Sequence, residues 1–189
     1  MIVETIVSTT DENCKVNLSP IGAVVQPASW GTFEFRLFPG SQTLTNLQQN
    51  SEGVLHLTDN PMLFARAIAN QWDESPLMKP SNIVKVQQLV HVQMAIEFRV
   101  VSSEAVGERI FLQCETVATH RGIDYRGFNR AGFAIVEAAI LISRLGILPL
   151  DNIESQLKPL EIIVQKTGGP IELAAWLLLA ERMKLETSR

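Results

Sequence analysis

The stretch Arg36-Leu37-Phe38-Pro39-Gly40-Ser41-Gln42-Thr43-Leu44-Thr45-Asn46-Leu47 is the most chemically suggestive part of this sequence. A strand that breaks at Pro-Gly and restarts as a helix leaves the first backbone N–H groups of that helix unpaired, and the helix dipole favours an anion beside them. Ser41, Thr43 and Thr45 add hydroxyls to that end, and Arg36 offers a guanidinium just upstream. Such a corner can seat a phosphate. Ser41 is equally a plain N-cap, with Thr43 and Thr45 merely solvated, because these residues are preferred at ordinary helix starts. A second concentration of polar groups is His120-Arg121 with Tyr125, Arg126 and Arg130. It can clamp an anionic substrate, or form salt links with Glu115 and Glu137 between two parts of the chain.

The remaining reactive types are poorly placed for chemistry. His56 in Val54-Leu55-His56-Leu57 and His91 in Val90-His91-Val92 lie within apolar strand-like runs, where a satisfied or outward-facing histidine is the ordinary case. No His-x3-His or Cys-x2-Cys spacing exists, so no metal site is expected. No Gly-x-Ser-x-Gly elbow supports a hydrolase triad. Cys14 beside Lys15 has no base to activate it.

These residues must be positioned by a globular chain. Of its 189 residues, 46% are hydrophobic and 19% charged, which excludes a disordered tail. Lysine and arginine total 16 against 20 acids, a net charge of −4 without a basic run, so nucleic acid is not an expected partner. The apolar stretch 131–142 is interrupted by Gly132 and Glu137 and falls short of the roughly 20 residues a bilayer requires. No membrane association is expected. The opening Met1-Ile2-Val3-Glu4 resembles no export signal, and two cysteines far apart suit a reducing compartment, so a cytoplasmic protein is expected.

The first part reads as strands. Residues 2–9 and 15–25 are β-rich, with Pro20 and Gly22 demanding a bulge or an edge, and 32–38 alternates with Phe33, Phe35 and Leu37 on one face. A short helix follows Ser41, a strand covers 54–58, and Pro61 opens a helix. From Ile83 through Thr119 two or three more strands are expected, with a hairpin at 104–108. Beyond Asn129 the apolar period becomes helical, and three helices are expected. The whole is α+β, mainly antiparallel, with a β-rich domain at 1–122 and a helical C-terminal subdomain at 123–189.

The order of these elements resembles a known family. Glu4-Thr5-Ile6-Val7, Asn17-Leu18-Ser19-Pro20-Ile21-Gly22, Arg36 to Ser41, Asp59-Asn60-Pro61-Met62-Leu63-Phe64-Ala65, and Asn129-Arg130-Ala131 through Glu137 are similar to the domain-of-unknown-function family four-four-seven, itself similar to flavin-reductase-type FMN-binding split barrels. The resemblance implies a split β-barrel of FMN-binding type carrying the helical subdomain, with FMN as cofactor. It implies that Pro20, Ile21 and Gly22 meet the isoalloxazine edge, that Arg36, Ser41, Thr43 and Asn46 surround the phosphate, and that Thr58, Asp59 and Asn60 approach the ring. Gln42-Thr43 stands where many flavin reductases have Lys-Asp, so either Arg36 supplies the cation or the ligand differs. A homodimer acting on a small-molecule substrate is further implied, with His120, Tyr125, Arg126 and Arg130 as a substrate or partner-subunit loop and Val90, Val92, Met94 and Ile96 as an apolar contact face. The function so implied is that of an FMN-dependent oxidoreductase. A cofactor-free binding or scaffold protein, or a protein of pterin-linked one-carbon metabolism, is the alternative.

Overall fold

A computed structural model describes residues 1–26, 29–72 and 76–187. Packing divides the chain into two units, residues 1–58 with 76–124, and residues 59–75 with 125–189.

The first unit is a six-stranded antiparallel barrel. Its strands are β1 (Ile2–Thr10), β2 (Val16–Gln26), β3 (Ser29–Leu37), β4 (Glu52–Leu57), β7 (Met94–Val106) and β8 (Arg109–Arg121), in the order β1-β2-β3-β8-β7-β4, with β4 returning to β1. Two short strands, β5 (Met78–Lys79) and β6 (Gln88–Leu89), pair separately. The period-two pattern places Phe33 and Phe35 inside with Phe98, in edge-to-face contacts of 5.2–5.5 Å between ring centroids. Val7, Leu55, Ile96 and Leu112 complete that core. Gly53 sits opposite Phe98 in the β4–β7 ladder, and a Cβ built there would lie 2.5 Å from Phe98 Cζ. Here the ring occupies the space a side chain would need.

One seam of the barrel is short. β2 pairs with β1 along residues 16–24, but with β3 only at Val24↔Glu34, Val25↔Phe33 and Gln26↔Ser29. From 16 to 23, β2 therefore has strand pairing on one side alone. That edge is where Pro20, lacking an N–H, is tolerated. Phe35 to Leu37 pair only with β8. Helix α1 (Gln42–Asn50) follows, and it buries Leu44 and Leu47 in the barrel core.

Between 83 and 119, where two or three strands were expected, the structure has β6, β7 and β8, and residues 80–93 form a strap that contains only the two-residue β6. Its Val84, Val86, Leu89 and Val92 are buried. The proposed contact face at 90–96 is thereby corrected, since Val92 and Ile96 are 3% and 0% exposed and are already packed within the chain.

The second unit contains α2 (Pro61–Ala69), α3 (Arg130–Ile142), α4 (Leu150–Thr167) and α5 (Pro170–Thr187). α2 packs on α3 and α5, so the helical body holds one helix beyond the three expected at the C-terminus. Buried Ala131, Ala134, Ala138 and Ala139 give α3 a narrow face that lets its neighbours approach. Asn60 and Asn129 cap α2 and α3 through their side-chain oxygens.

Gly53→Ala tests the ring–glycine contact. The added methyl should destabilise the protein by about 1–3 kcal/mol through overpacking against Phe98, read as a lower urea midpoint at unchanged slope. An unchanged midpoint would show that the ring is free to yield.

Candidate functional site

The open edge of β2 and the first turn of α1 are joined by one side chain. Asn17 Nδ2 donates to Ser19 Oγ at 3.0 Å and to Thr43 Oγ1 at 3.1 Å, bridging the start of the strand to the helix. Pro20, Ile21 and Gly22 follow directly on that edge. The Ile21 carbonyl already accepts from Thr5 Oγ1 at 2.6 Å. Ser41 is the N-cap of α1, its Oγ accepting from the Leu44 N–H at 3.4 Å. A Cβ built at Gly40, where φ is +82°, would meet nothing within 4 Å, so there is room beside this helix start. The structure thus brings Pro20, Ile21, Gly22, Ser41 and Thr43 into one region, and adds Asn17 and Ser19. Ser19 was not expected as a contact, although its i, i+2 spacing from Asn17 beside a strand proline was a usable signal.

Two expected phosphate contacts have other partners. Asn46 is 1% exposed; its Nδ2 donates to Thr9 Oγ1 at 2.9 Å and its Oδ1 accepts from Gln42 Nε2 at 2.7 Å. Its amide ties α1 to β1. Arg36 lies on the outward face of β3, with Nε donating to Glu34 Oε1 at 2.6 Å and its guanidinium 4.8 Å from the Phe111 ring centroid. This cation is already paired.

The other expected residues fall into separate settings. Thr58 is the last residue of the barrel segment, while Asn60 belongs to the helical unit as the α2 cap, accepting from the Met62 N–H at 3.1 Å. Arg126 is locked to Asp59, its backbone N–H and Nε donating to the carboxylate at 2.8 and 3.1 Å, and its NH2 to the Asp59 carbonyl at 2.9 Å. The side-chain hydrogen bond to Asp59 holds the Arg126 guanidinium above its ordinary value. Tyr125 meets Phe128 edge to face at 5.6 Å. Arg126 and Arg130 line a cavity of about 590 Å³ with Phe128, Asn129 and Glu172. His120 is in the barrel unit, with Nε2 donating to Glu97 Oε1 at 2.6 Å. The carboxylates met by Arg126 and His120 are therefore Asp59 and Glu97, rather than Glu115 and Glu137.

His56 and Glu97 are buried completely, and neither was expected to organise a neighbouring segment. His56 Nδ1 donates to the Ile6 carbonyl at 2.9 Å and Nε2 accepts from the Leu89 N–H at 3.0 Å, which fixes a neutral tautomer. Burial pushes its pKa down to about 4. Burial also pushes the Glu97 carboxyl up, but the N–H groups of Asn82, Val84 and Ile83 with His120 outweigh it and hold the group below the usual carboxylate range. Burial pushes the Cys114 thiol far up, so it is inert, and Cys14 is exposed in a turn. No cluster of three His, Cys, Asp or Glu suited to a metal occurs among the described residues. No helix among them is long and apolar enough to cross a membrane.

This barrel, split at one seam and followed by helices, has known relatives. Residues 3–122 match the family described as "Protein of unknown function (DUF447) N-terminal domain", and residues 129–181 match "Protein of unknown function (DUF447)". The chain belongs to the DUF447 family. No curated protein matches the sequence. Among solved structures, an FMN-bound DUF447 protein from Methanosarcina mazei superposes with a TM-score of 0.85 at 22% identity, covering 96% of this chain and 94% of that one. Flavoredoxin from Methanosarcina acetivorans superposes at 0.55 with 14% identity, over 66% of this chain and 70% of its own. The flavin reductase of styrene monooxygenase from Pseudomonas putida does so at 0.52 with 14% identity, over 62% and 77%. The fold of this DUF447 chain is therefore that of the flavin-reductase-like barrels.

Asn46→Ala separates a structural from a ligand-contacting role. Loss of the buried hydrogen bond to Thr9 and the half-buried one from Gln42 should cost about 1–3 kcal/mol in urea denaturation, chiefly because Thr9 loses its partner. Unchanged stability with weakened ligand binding would restore Asn46 to the ligand.

Proposed function

We propose that this DUF447 chain binds FMN along the open edge of β2, with the phosphate at the start of α1, and serves as a flavin-dependent oxidoreductase of a small molecule. The observation that carries this reading is the short β2–β3 seam. It leaves residues 17–23 of β2 without a second strand partner, and Asn17 joins that edge to the first turn of a helix whose entrance is open at Gly40. The donors there suit a phosphate. The N–H groups of Gln42 and Thr43 lie in the first turn, where the helix provides no acceptors, and the Ser41 hydroxyl accepts from Leu44 while its own hydrogen stays available. These are neutral donors, so affinity would come from hydrogen bonds and the helix dipole rather than from a lysine. Arg36 is held through Nε by Glu34, which offsets part of the charge it would bring to a phosphate.

Bound FMN would supply hydride and single-electron chemistry. The chain's own contribution is binding and orientation: the β2 main chain offers polar groups to a planar ring edge, and the aromatic core behind β3 keeps the wall rigid. The FMN-bound family member from Methanosarcina mazei supports the choice of cofactor. A dimer is also part of this reading, through a face other than residues 92–96.

Ser41→Asp is the discriminating variant, because aspartate caps a helix as well as serine but places an anion where the phosphate would sit. FMN quenching titrations should show affinity reduced by about 10-fold or more, on the order of 1.4 kcal/mol, with riboflavin affinity nearly unchanged. Equal changes for both flavins would reject the phosphate position. Absence of quenching in the wild-type protein would leave the barrel a cofactor-free binding scaffold.

A further inference from the structure

Residues 80–93 run across the outer face of the barrel with almost no ladder pairing, so their backbone N–H groups need acceptors from elsewhere. The Leu77 and Leu57 carbonyls accept from the Val90 and Gln93 N–H groups, and side chains supply the acceptors for five others. Glu97 Oε1 accepts from the Asn82 N–H at 2.8 Å, and its Oε2 from those of Ile83 and Val84 at 2.7 and 2.8 Å. Glu52 Oε2 accepts from the Lys85 N–H at 3.1 Å, and His56 Nε2 from the Leu89 N–H at 3.0 Å. Ser8 Oγ donates to the Gln87 carbonyl at 2.8 Å. The strand register explains the convergence. Ser8, Val54, Glu97 and Ala118 are successive cross-strand partners, and so are Ile6, His56, Ala95 and His120; both rows point away from the Val7, Leu55 and Ile96 interior.

We infer that residues 80–93 form an acid-releasable strap, held on the barrel by two buried acceptors that each work in a single protonation state: Glu97 as a carboxylate and His56 as a neutral imidazole. Protonation places a hydrogen on His56 Nε2, which then faces the Leu89 N–H, and turns one oxygen of Glu97 from an acceptor into an O–H donor among the strap's N–H groups. Release would uncover Ile6, Val54 and Ala95, which are at most 2% exposed. The charged groups around the latch are few. Glu97 faces His120 from β8 at 2.6 Å, and Glu52 faces Arg99 from β7 at 3.1 Å. His56 faces the Ile6 carbonyl from β1. The strap's own Lys85 and His91, and Lys79 just before it, are exposed.

The direction with pH follows from linkage. His56 has a pKa of about 4 with the strap closed and about 6.5 once it is freed, so closure is fully favoured above pH 6.5 and weakens as pH falls towards 4. Glu97, held below its ordinary value, adds a further loss in the acid range below about 4.5. His56 alone raises the open-to-closed ratio roughly 50-fold between pH 7 and 4.5.

Amide hydrogen exchange, normalised for the intrinsic pH dependence, reads that ratio directly. The Ile83, Val84 and Leu89 amides should lose roughly 50-fold protection between pH 7 and 4.5, while Phe35 and Leu112 in the β3–β8 ladder keep theirs. His56→Gln, which retains an uncharged acceptor, should flatten most of that loss. Strap amides whose protection is unchanged between the two pH values, or that move only together with Phe35 and Leu112, would overturn the strap. An undiminished response in His56→Gln would overturn the role of His56. If that variant does not fold, the wild-type comparison decides.

Discussion

A strand in a closed barrel normally satisfies its backbone on both sides, and the departure from that rule at β2 organises the first unit. β2 leaves β3 after three residue pairs, so a stretch of backbone must face solvent, a helix or a ligand. α1 enters at this gap and closes the barrel end with Leu44 and Leu47. The helix starts where Gly40, at φ +82°, lets the chain turn sharply out of β3. One open seam therefore accounts for the tolerated Pro20, the position of the helix start and the polar edge between them.

Where ladder bonds are missing, single side chains replace them. Asn17, Asn46 and Asn50 fasten α1 to β2 and β1, the last through a 2.7 Å bond to the Thr10 carbonyl. Ser8, Glu52, His56 and Glu97 do the same for the strap. The two groups differ in chemistry. Amides at α1 hold regardless of pH, whereas the Glu97 carboxylate and the His56 imidazole at the strap depend on their protonation. The helix beside the open edge is thus firmly held, while the cover on the other barrel face is conditional.

Much of this arrangement was legible in the sequence. Alternation at Phe33, Phe35 and Leu37, the Pro-Gly break at 39–40 and the helical period after Asn129 each lead directly to an observed element. The polar helix start in the candidate site was legible too, because such a start after a strand end is a local pattern. Partners brought in from far along the chain were not legible. Arg36 reads as a free cation until β3 pairing places Glu34 beside it, and Asn46 reads as a phosphate contact until the helix turns it onto Thr9. The apolar run at 83–96 has the composition of a strand. Its first part became a strap because Glu97 and His56, distant in sequence from one another, offered its backbone acceptors that no neighbouring strand supplied.

The central claim is that the open edge of β2 and the first turn of α1 form one flavin-binding surface. Backbone chemical-shift mapping of the isotope-labelled protein during titration with FMN tests it most directly. The expected result is a set of shifts concentrated at residues 17–23 and 40–44, with riboflavin reproducing those on β2 but not those at the helix start. Shifts confined to the helical unit, or none with FMN in excess, would contradict it.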